Sequence, residues 1–520
     1  MLKKSLSLIF AVLLIMTAFA SCVGNESGNS SAEESKSIQS GISEETSDND
    51  ETTADTSEGF KYATSKYFGT TVKILTVNSE RHTYGELQYV PYDEDDEQKS
   101  SAINVAVKAR NDYIYENYGI TIKTRTEKYP TDVIYNEIMT NIADYDLVCD
   151  SVDRMVIKVL ESLFISLDDY IDLDDSWWDK DAIDDLSLDG VKHFLVSGDC
   201  MLTDVDHIYL TLFNKKLYNQ NTDIVSEYGD LYQLVKDYKF TLDAYTEMCK
   251  AVSVADTDGN WSFDATYGNL SHSYGATIMV NGGGVSTVTK KAESGLRCTV
   301  MDQHSQNVFD KVYELMSNRQ ITQRAELIIG QGSKPSTYGF SELGEMFTSG
   351  RGLFYNTTVS SISGLKTSED ELDFDFGVLP IPLYNEQQDS YYCAVNRYQS
   401  SVIGIPLSNV DNVEASVFLL NALGYLNTSM PGNVISSYYE ITLKLQGSDT
   451  QDDCDMLDLV FKSKFYDLGT IFTFGSLMGL YGGVINNATT NNLTSTFESY
   501  QNGIEQAMED TYQTYLDSLL

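Results

Sequence analysis

Positive charge is scarce in this chain: 35 Lys and Arg stand against 77 Asp and Glu in 520 residues, a formal net charge of −42. Such a balance opposes the phosphate contacts and counterion release that drive nucleic-acid binding, so no nucleic-acid partner is expected. It also gives the folded surface no electrostatic reason to lie on anionic lipid. Histidine is rare too, with His82, His193, His207, His272 and His304 scattered without metal-ligand spacing. Seven prolines leave few rigid punctuation points. After Cys22 the cysteines, Cys149, Cys200, Cys249, Cys298, Cys393 and Cys454, lie too far apart for a CxxC redox motif or a zinc ribbon. An exported compartment permits disulfides without indicating a pairing. GxSxG, HExxH and GxxxxGK[ST] are all missing, and Gly282-Gly283-Gly284 reads as a loop rather than a phosphate cradle. No cofactor is implied. Beyond residue 20 no apolar run is long enough to span a bilayer.

What is present begins with an export signal. Lys3 and Lys4 precede an apolar run from Leu6 to Ala20, shorter than a comfortable span, that ends in Phe19-Ala20-Ser21-Cys22. Small residues before a Cys resemble a bacterial lipobox, in which the thiol is acylated and becomes the new N-terminus. Residues 1–21 are therefore read as a lipoprotein signal peptide and Cys22 as the lipidation site, with ordinary secretory cleavage as the alternative. Residues 22–68 are rich in Ser, Glu, Asp and Thr and almost devoid of large apolar side chains at first, which predicts a solvated tether. The rest is expected outside the cytoplasm, anchored to the outer face of the cell membrane.

The remaining length suits two or more domains, and 42% hydrophobic with 22% charged residues is a soluble globular composition. TVKILTVNS from Thr71 reads as a strand, Ser101 to Tyr118 as a helix stopped by Gly119, and ITIKTRTEK as a strand. Val133 to Ala143 then reads as a helix and DYDLVCDSV as a third strand. Alternating strand and helix is the mark of a parallel α/β layer, whose ligands sit beyond the carboxyl ends of the strands, here just after Val77 and Val152. Later strands are predicted in VKHFLVSGD, HIYLTLFNKKLYN, GLFYNTTVSS, DFDFGVLPIP and YQSSVIGIP, with a helix in FTLDAYTEMCKAVSV. Strands both early and late suggest a chain that crosses between two lobes.

The succession TVKILTVNS, DYDLVCDSVDR, SLDD, WW, GVKHFLVSGD, LFNKKLYN, FTLDAY, DTDGNWSFDATYGN, GEMFTSGRGLFYN, DFDFGVLPIP and DMLDLVFKSKFYDLG resembles the family 1 extracellular solute-binding proteins, the maltose-binding-protein-like receptors of carbohydrate ABC importers. The resemblance runs from about Thr70 to Leu520 and implies a two-lobed α/β fold of the periplasmic-binding-protein type II class with hinge strands between lobes. On it, residues 69–210 and 356–406 form one lobe, and 211–355 and 407–520 the other. It further implies a monomer that closes over a carbohydrate, expected to be an oligosaccharide, and delivers it to a membrane permease without covalent chemistry.

Sugar recognition needs flat apolar faces for ring stacking and polar groups for the hydroxyls. With 35 Tyr, 21 Phe and 3 Trp, surfaces of the first kind are plentiful. By position the resemblance points to Asn78, Glu80 and Arg81 after the first strand and to Asp153 and Arg154 after the third, where the strand-end rule points independently. It also points to Trp178 of the Trp177-Trp178 pair, which cannot both face one way, to Asp206 and His207 at the first crossing, to Tyr355 and Asn356 at the return crossing, and to Tyr481 in a late loop. Packing or a surface ion pair is the alternative role at each of these positions. Asp256, Asp258, Asn260 and Asp264 alternate like a calcium loop, but Trp261 stands where Gly would turn the chain and Tyr267 where Glu would chelate, which argues against an EF-hand. Two rivals stay open on sequence alone: a surface glycan-binding adhesin or sensor, and a glycoside hydrolase with a carboxylate dyad in its cleft.

Overall fold

A computed structural model describes residues 59–92, 101–291, 294–366, 372–409, 411–439, 450–487 and 489–519. The signal segment, Cys22 and most of the expected tether lie outside them. Of the residues expected in the tether, those from Gly59 on pack into the body. Phe60 is buried, stacks on Tyr425 at a centroid distance of 5.1 Å and meets Trp177 and Phe418, while Lys66 Nζ donates to the Asn117 carbonyl at 2.6 Å. Phe60 joins the core of the first sheet, and Tyr62 and Tyr67 pack against it.

Among the described residues fourteen strands follow in chain order: β1 (Thr70–Val77), β2 (Ile120–Glu127), β3 (Leu147–Ser151), β4 (Leu195–Val196), β5 (Tyr209–Asn214), β6 (Tyr267–Ser271), β7 (Val288–Lys290), β8 (Leu296–Cys298), β9 (Thr322–Arg324), β10 (Gly352–Thr358), β11 (Phe376–Leu379), β12 (Cys393–Ala394), β13 (Ser401–Gly404) and β14 (Lys464–Phe465). One five-stranded sheet has the order β2-β1-β3-β13-β4 and a second the order β11-β5-β10-β6-β9. In the first, β1 runs parallel to β2 from Thr70↔Ile120 to Val77↔Glu127 and parallel to β3, because a helix returns the chain between each pair. The first of these helices, Ala102–Tyr118, starts where the Ser101 Oγ accepts from the Asn104 N–H at 3.1 Å. It stops at Gly119, whose φ of 81° lets its N–H return to the Tyr115 carbonyl. The next helix runs Pro130–Met139, ending earlier than the periodicity predicts; Ile142 lies beyond it and is exposed.

β3 ends at Ser151, and Val152 opens a helix to Leu160. Asp153 and Arg154 thus occupy the first turn of a helix. β13 then enters antiparallel between β3 and β4, bringing late sequence back to the first sheet.

The second sheet changes the expected lobe boundaries. β10 pairs antiparallel with β5 from Phe354↔Phe213 to Thr358↔Tyr209, and β11 pairs antiparallel with β5 on its other side. Tyr355 and Asn356 are therefore in the middle of a second-sheet strand, and the return crossing falls between Leu379 and Ser401. Helix Val413–Ser429 likewise belongs with the first sheet, since Phe418, Leu419, Ala422 and Leu423 share a core with Val72, Ile74, Cys149 and Ile403. The chain crosses back only after it, and helix Gln451–Lys462 packs on β11.

The crossings lie side by side. Ile208 and Val395 form an antiparallel bridge, the Asn396 N–H donates to the His207 carbonyl at 2.9 Å, and the Tyr438 hydroxyl of the third crossing reaches Asp206 Oδ1 at 2.7 Å. The six cysteines of the described residues are unpaired thiols, with Cys149 and Cys393 buried in strands. Among the described residues no helix is long and apolar enough to cross a membrane.

Candidate ligand-binding cleft

A cleft of about 840 Å³ opens at the crossings, a volume typical of small-molecule sites. Its floor is backbone-fixed: Tyr209 begins β5, and Tyr355, Asn356, Thr357 and Thr358 end β10. Asn356 Nδ2 donates to Thr211 Oγ1 at 3.1 Å, while its buried Oδ1 has no hydrogen-bond partner. Thr357 shares a hydrogen bond with Ser361 at 2.6 Å, and Thr358 one with Ser360 at 2.8 Å.

One wall is aromatic. β6 ends at Ser271, so His272 and Tyr274 emerge at its end and stack at 6.1 Å with an interplanar angle of 16°. Tyr209 lies 6.1 Å from His272, Phe340 meets the same imidazole edge-on at 5.3 Å, and Tyr338 continues the line at 6.3 Å from Phe340. Tyr338 and Phe340 are 68% and 48% exposed, so their faces are open to a ligand. Burial holds the His272 imidazole neutral, its pKa pushed down to about 4 against the pull of Glu326. A neutral imidazole has one donor and one acceptor nitrogen, a set suited to hydroxyls.

The loop carrying Tyr338 is fastened from below. Glu342, fully buried, accepts from the Gly330 and Ser336 N–H groups and from Ser336 Oγ at 2.6 Å. Burial alone would raise its pKa, but these donors outweigh it and bring the carboxyl to about 2.

The opposite wall is the second crossing, Asn396-Arg397-Tyr398-Gln399. Asn396 Nδ2 donates to Gln399 Oε1 at 2.9 Å, and Arg397 Nη1 donates to the Thr470 carbonyl at 2.6 Å with its guanidinium 5.2 Å from the Tyr398 ring. Arg397 is the only Lys, Arg, Asp or Glu among the lining residues.

The structure brings some of the sequence candidates together and separates others. Tyr355 and Asn356 line the cleft, as floor of the second sheet rather than as a crossing. Arg81 and Asp153 meet beside it: Arg81 donates to Asp150 Oδ1 at 3.0 Å and to Ser151 Oγ at 2.7 Å, and Ser151 Oγ donates to Asp153 Oδ1 at 2.6 Å. The Asp153 N–H reaches the Arg397 carbonyl at 3.2 Å and Arg81 the Tyr398 carbonyl at 3.3 Å, so this network supports the second-crossing wall from behind. Arg154 turns away to Thr131 and Asp132 and lies over the Tyr129 ring at 4.5 Å. Glu80 is exposed, 3.9 Å from Lys128 Nζ. Asn78 joins the β1 turn, its N–H on the Glu127 carbonyl.

Trp178 is buried at a bridge to Gly198 and borders a separate hollow with Asp204 and Lys464. Asp206 and His207 are buried in the first crossing, and Tyr481 is fully buried against Phe309 at 4.7 Å. None of these four lines the cleft. In the acidic loop Asp256 Oδ1 accepts from the Asp258 and Asn260 N–H groups, its Oδ2 from Ser262, and Asp264 pairs with Arg351 at 2.9 Å. Among the described residues no three His, Cys, Asp or Glu side chains converge to hold a metal ion.

Sequence reading missed Tyr209, His272, Tyr274, Tyr338, Phe340 and the Asn396–Gln399 run. Of the last, Tyr398 and Gln399 fall within the predicted strand YQSSVIGIP and Asn396 and Arg397 directly precede it; the others needed the strand partners.

No family model and no curated protein matches the chain. Among solved structures it is similar to a sugar transporter from Rhizobium etli in an open conformation, at 12% identity over 84% of this chain and 99% of that one with a TM-score of 0.54. It is also similar to a cyclo/maltodextrin-binding protein complexed with maltotetraose, at 11% identity over 86% and 97% of the two chains with a TM-score of 0.50. A third is UgpB from Mycobacterium tuberculosis in complex with glycerophosphocholine, at 11% over 78% and 95% with a TM-score of 0.50. These likenesses, with two α/β sheets joined by three adjacent crossings, establish the two-lobed solute-binding-protein fold for this chain.

Proposed function

We propose that this chain is an extracytoplasmic solute-binding lipoprotein, acylated at Cys22, that captures a carbohydrate in the cleft by hinge closure and hands it to an ABC permease. The observation that carries the reading is the cleft itself: a line of aromatic faces opposite amides and hydroxyls, built on the backbone that links the two sheets. Stacking offers area to the C–H face of a sugar ring, and the Asn, Gln, Ser and Thr groups offer donors and acceptors to its hydroxyls. Because the floor and the aromatic wall belong to the second sheet while the Asn396–Gln399 wall is backed by Asp153 and Arg81 at the ends of first-sheet strands, a ligand touching both sides favours the closed population. The lining holds no Asp or Glu, so a carboxylate dyad is not part of it.

The test is a thermal-shift screen of the full chain against neutral and acidic oligosaccharides, amino acids, peptides and polyols. A native-state ligand at about 100 times its Kd adds about 2.7 kcal/mol. Stabilisation by a related set of sugars, with a fall in radius of gyration on saturation, supports the proposal. A hit confined to peptides or polyols keeps the fold and removes the carbohydrate. Binding with unchanged scattering favours the adhesin or sensor, and turnover of a glycan favours the hydrolase.

A further inference from the structure

Arg397 is 6% exposed, yet it faces a cavity and few groups offset its charge. Its Nη1 donates to the Thr470 carbonyl and reaches Met478 Sδ at 3.9 Å, while Nε has no hydrogen-bond partner. The carboxylate that acts on it most is Asp153, which lies outside ion-pair range and is engaged at Oδ1 by Ser151. Arg110, more deeply buried at 1% exposed, shows what a purely structural guanidinium looks like here: it spends its nitrogens on Asn427, Asn111 and the carbonyls of Gln88 and Tyr89.

A desolvated cation with spare donors is costly unless an anion or several acceptors arrive. Around it the lining supplies Asn396, Gln399, Ser360 and Ser361, which donate to an anion, and no acidic side chain to repel one. A protein of net charge −42 that keeps its one cleft charge positive has placed it against the sign of its own surface.

Building on the carbohydrate reading above, we infer that the ligand carries an anionic group, a carboxylate or a phosphate, and that Arg397 is the residue that selects for it. Guanidinium donors paired in a fork match either group, and hydrogen bonds to charged partners are about twice as strong as neutral ones.

The experiment is calorimetric titration of the full chain with a galacturonate trisaccharide, a hexose phosphate and maltotriose as the neutral probe. The uronate or the phosphate is expected to bind at least tenfold tighter than maltotriose, and whichever does so identifies the anion. Arg397→Gln is expected to weaken that binding about 10- to 100-fold. Arg397→Lys, which keeps the charge without the fork, is expected to fall between. Because Arg397→Gln also frees the Thr470 carbonyl, its unfolding transition is measured alongside, and the discrimination by the unmodified chain stands without any variant. Maltotriose bound as tightly as the acidic probes overturns the inference while leaving a sugar receptor in place. Discrimination that survives Arg397→Gln in a folded variant also overturns it. Binding of none of the three sinks both this inference and the carbohydrate reading beneath it.

Discussion

The Tyr438 hydroxyl donates to Asp206 Oδ1 at 2.7 Å, and both side chains are buried. The bond ties the third crossing to the first, immediately before the Ile208–Val395 bridge where the backbone turns into the cleft floor. Burial raises the Asp206 pKa, opposed by His207 and by this hydroxyl. Tyr438→Phe is expected to cost about 1–3 kcal/mol in denaturant unfolding, because a buried acceptor loses a partner. Neither residue lines the cleft, so ligand affinity should stay within about threefold. A large loss of affinity with unchanged stability would mean that Asp206 does reach the ligand.

The exposed rim should behave in the opposite way. Tyr338 and Phe340 are open to solvent, so Tyr338→Ala and Phe340→Ala are expected to change unfolding free energy by no more than about 0.5 kcal/mol. Each should nevertheless weaken sugar binding about 5- to 30-fold, the scale of one stacking aromatic at about 1–2 kcal/mol. Unchanged titration curves for both variants would place the ligand elsewhere.

Tyr481 separates a packed aromatic from a binding one. Its ring is buried against Phe309, and its hydroxyl has no hydrogen-bond partner. Tyr481→Phe removes an unpaired polar group and is expected to be neutral or stabilising by up to about 1 kcal/mol. Tyr481→Ala empties a core position and should cost about 3–5 kcal/mol. A drop in affinity for Tyr481→Phe would restore the residue to the site.

Local features of this fold were legible because they are written in neighbouring residues. Ser101 and Gly119 bracket a helix through cap chemistry that needs nothing outside the segment. The run TVKILTVNS is a strand whatever it pairs with. Which sheet receives a strand is a different matter: GLFYNTTVSS looks the same next to β5 or next to β3, and only its register with Thr211 and Leu212 decides that Asn356 is floor rather than crossing. Arg81 and Asp153 share Ser151 because both follow adjacent parallel strands, the strand ends to which the strand-end rule points. It gave no sign that Arg397, more than 240 residues later, would stand in front of them, because a crossing segment has no periodicity to announce it.

Acid should destabilise the crossings through histidine. His82 is buried with Nδ1 on Ser401 Oγ at 3.0 Å and its ring 5.5 Å from that of His207. Burial, then the charges of His207 and Arg81, lower its pKa from 6.5 to about 2. Above pH 6.5 the residue is neutral folded and unfolded. Below it the unfolded chain takes up a proton that the folded one refuses until about pH 2, so stability falls with pH by up to about 1.4 kcal/mol per unit. His82→Gln removes this contribution. The difference in unfolding free energy between the variant and the unmodified chain should therefore be constant from pH 8 to 7 and shift toward the variant between pH 6 and 4. Parallel curves across that range would show that His82 protonates freely.

Lys464 presents the strictest electrostatic test. Its side chain is 4% exposed, and its ammonium contacts Asp179 Oδ2 and Asp204 Oδ2 at 2.5 Å each and so joins β14 to the first crossing. Removing one member of a buried ion pair leaves the other charged and unsolvated, a loss of about 3–5 kcal/mol. Lys464→Met keeps most of the stem volume, so the loss expected in urea unfolding at pH 8 comes from the charge rather than from a cavity. Burial already raises the Asp204 pKa against the pull of Lys464, and without the lysine it rises further. A carboxyl with a raised folded pKa stabilises below its unfolded pKa and loses that contribution as pH climbs through the folded one. The gap between Lys464→Met and the unmodified chain should accordingly narrow from pH 8 to pH 5 as Asp204 protonates in the variant. Asp204→Asn in the Lys464→Met background should recover part of the loss at pH 8. A gap that is the same at both pH values would assign the role of Lys464 to the packing of its stem instead.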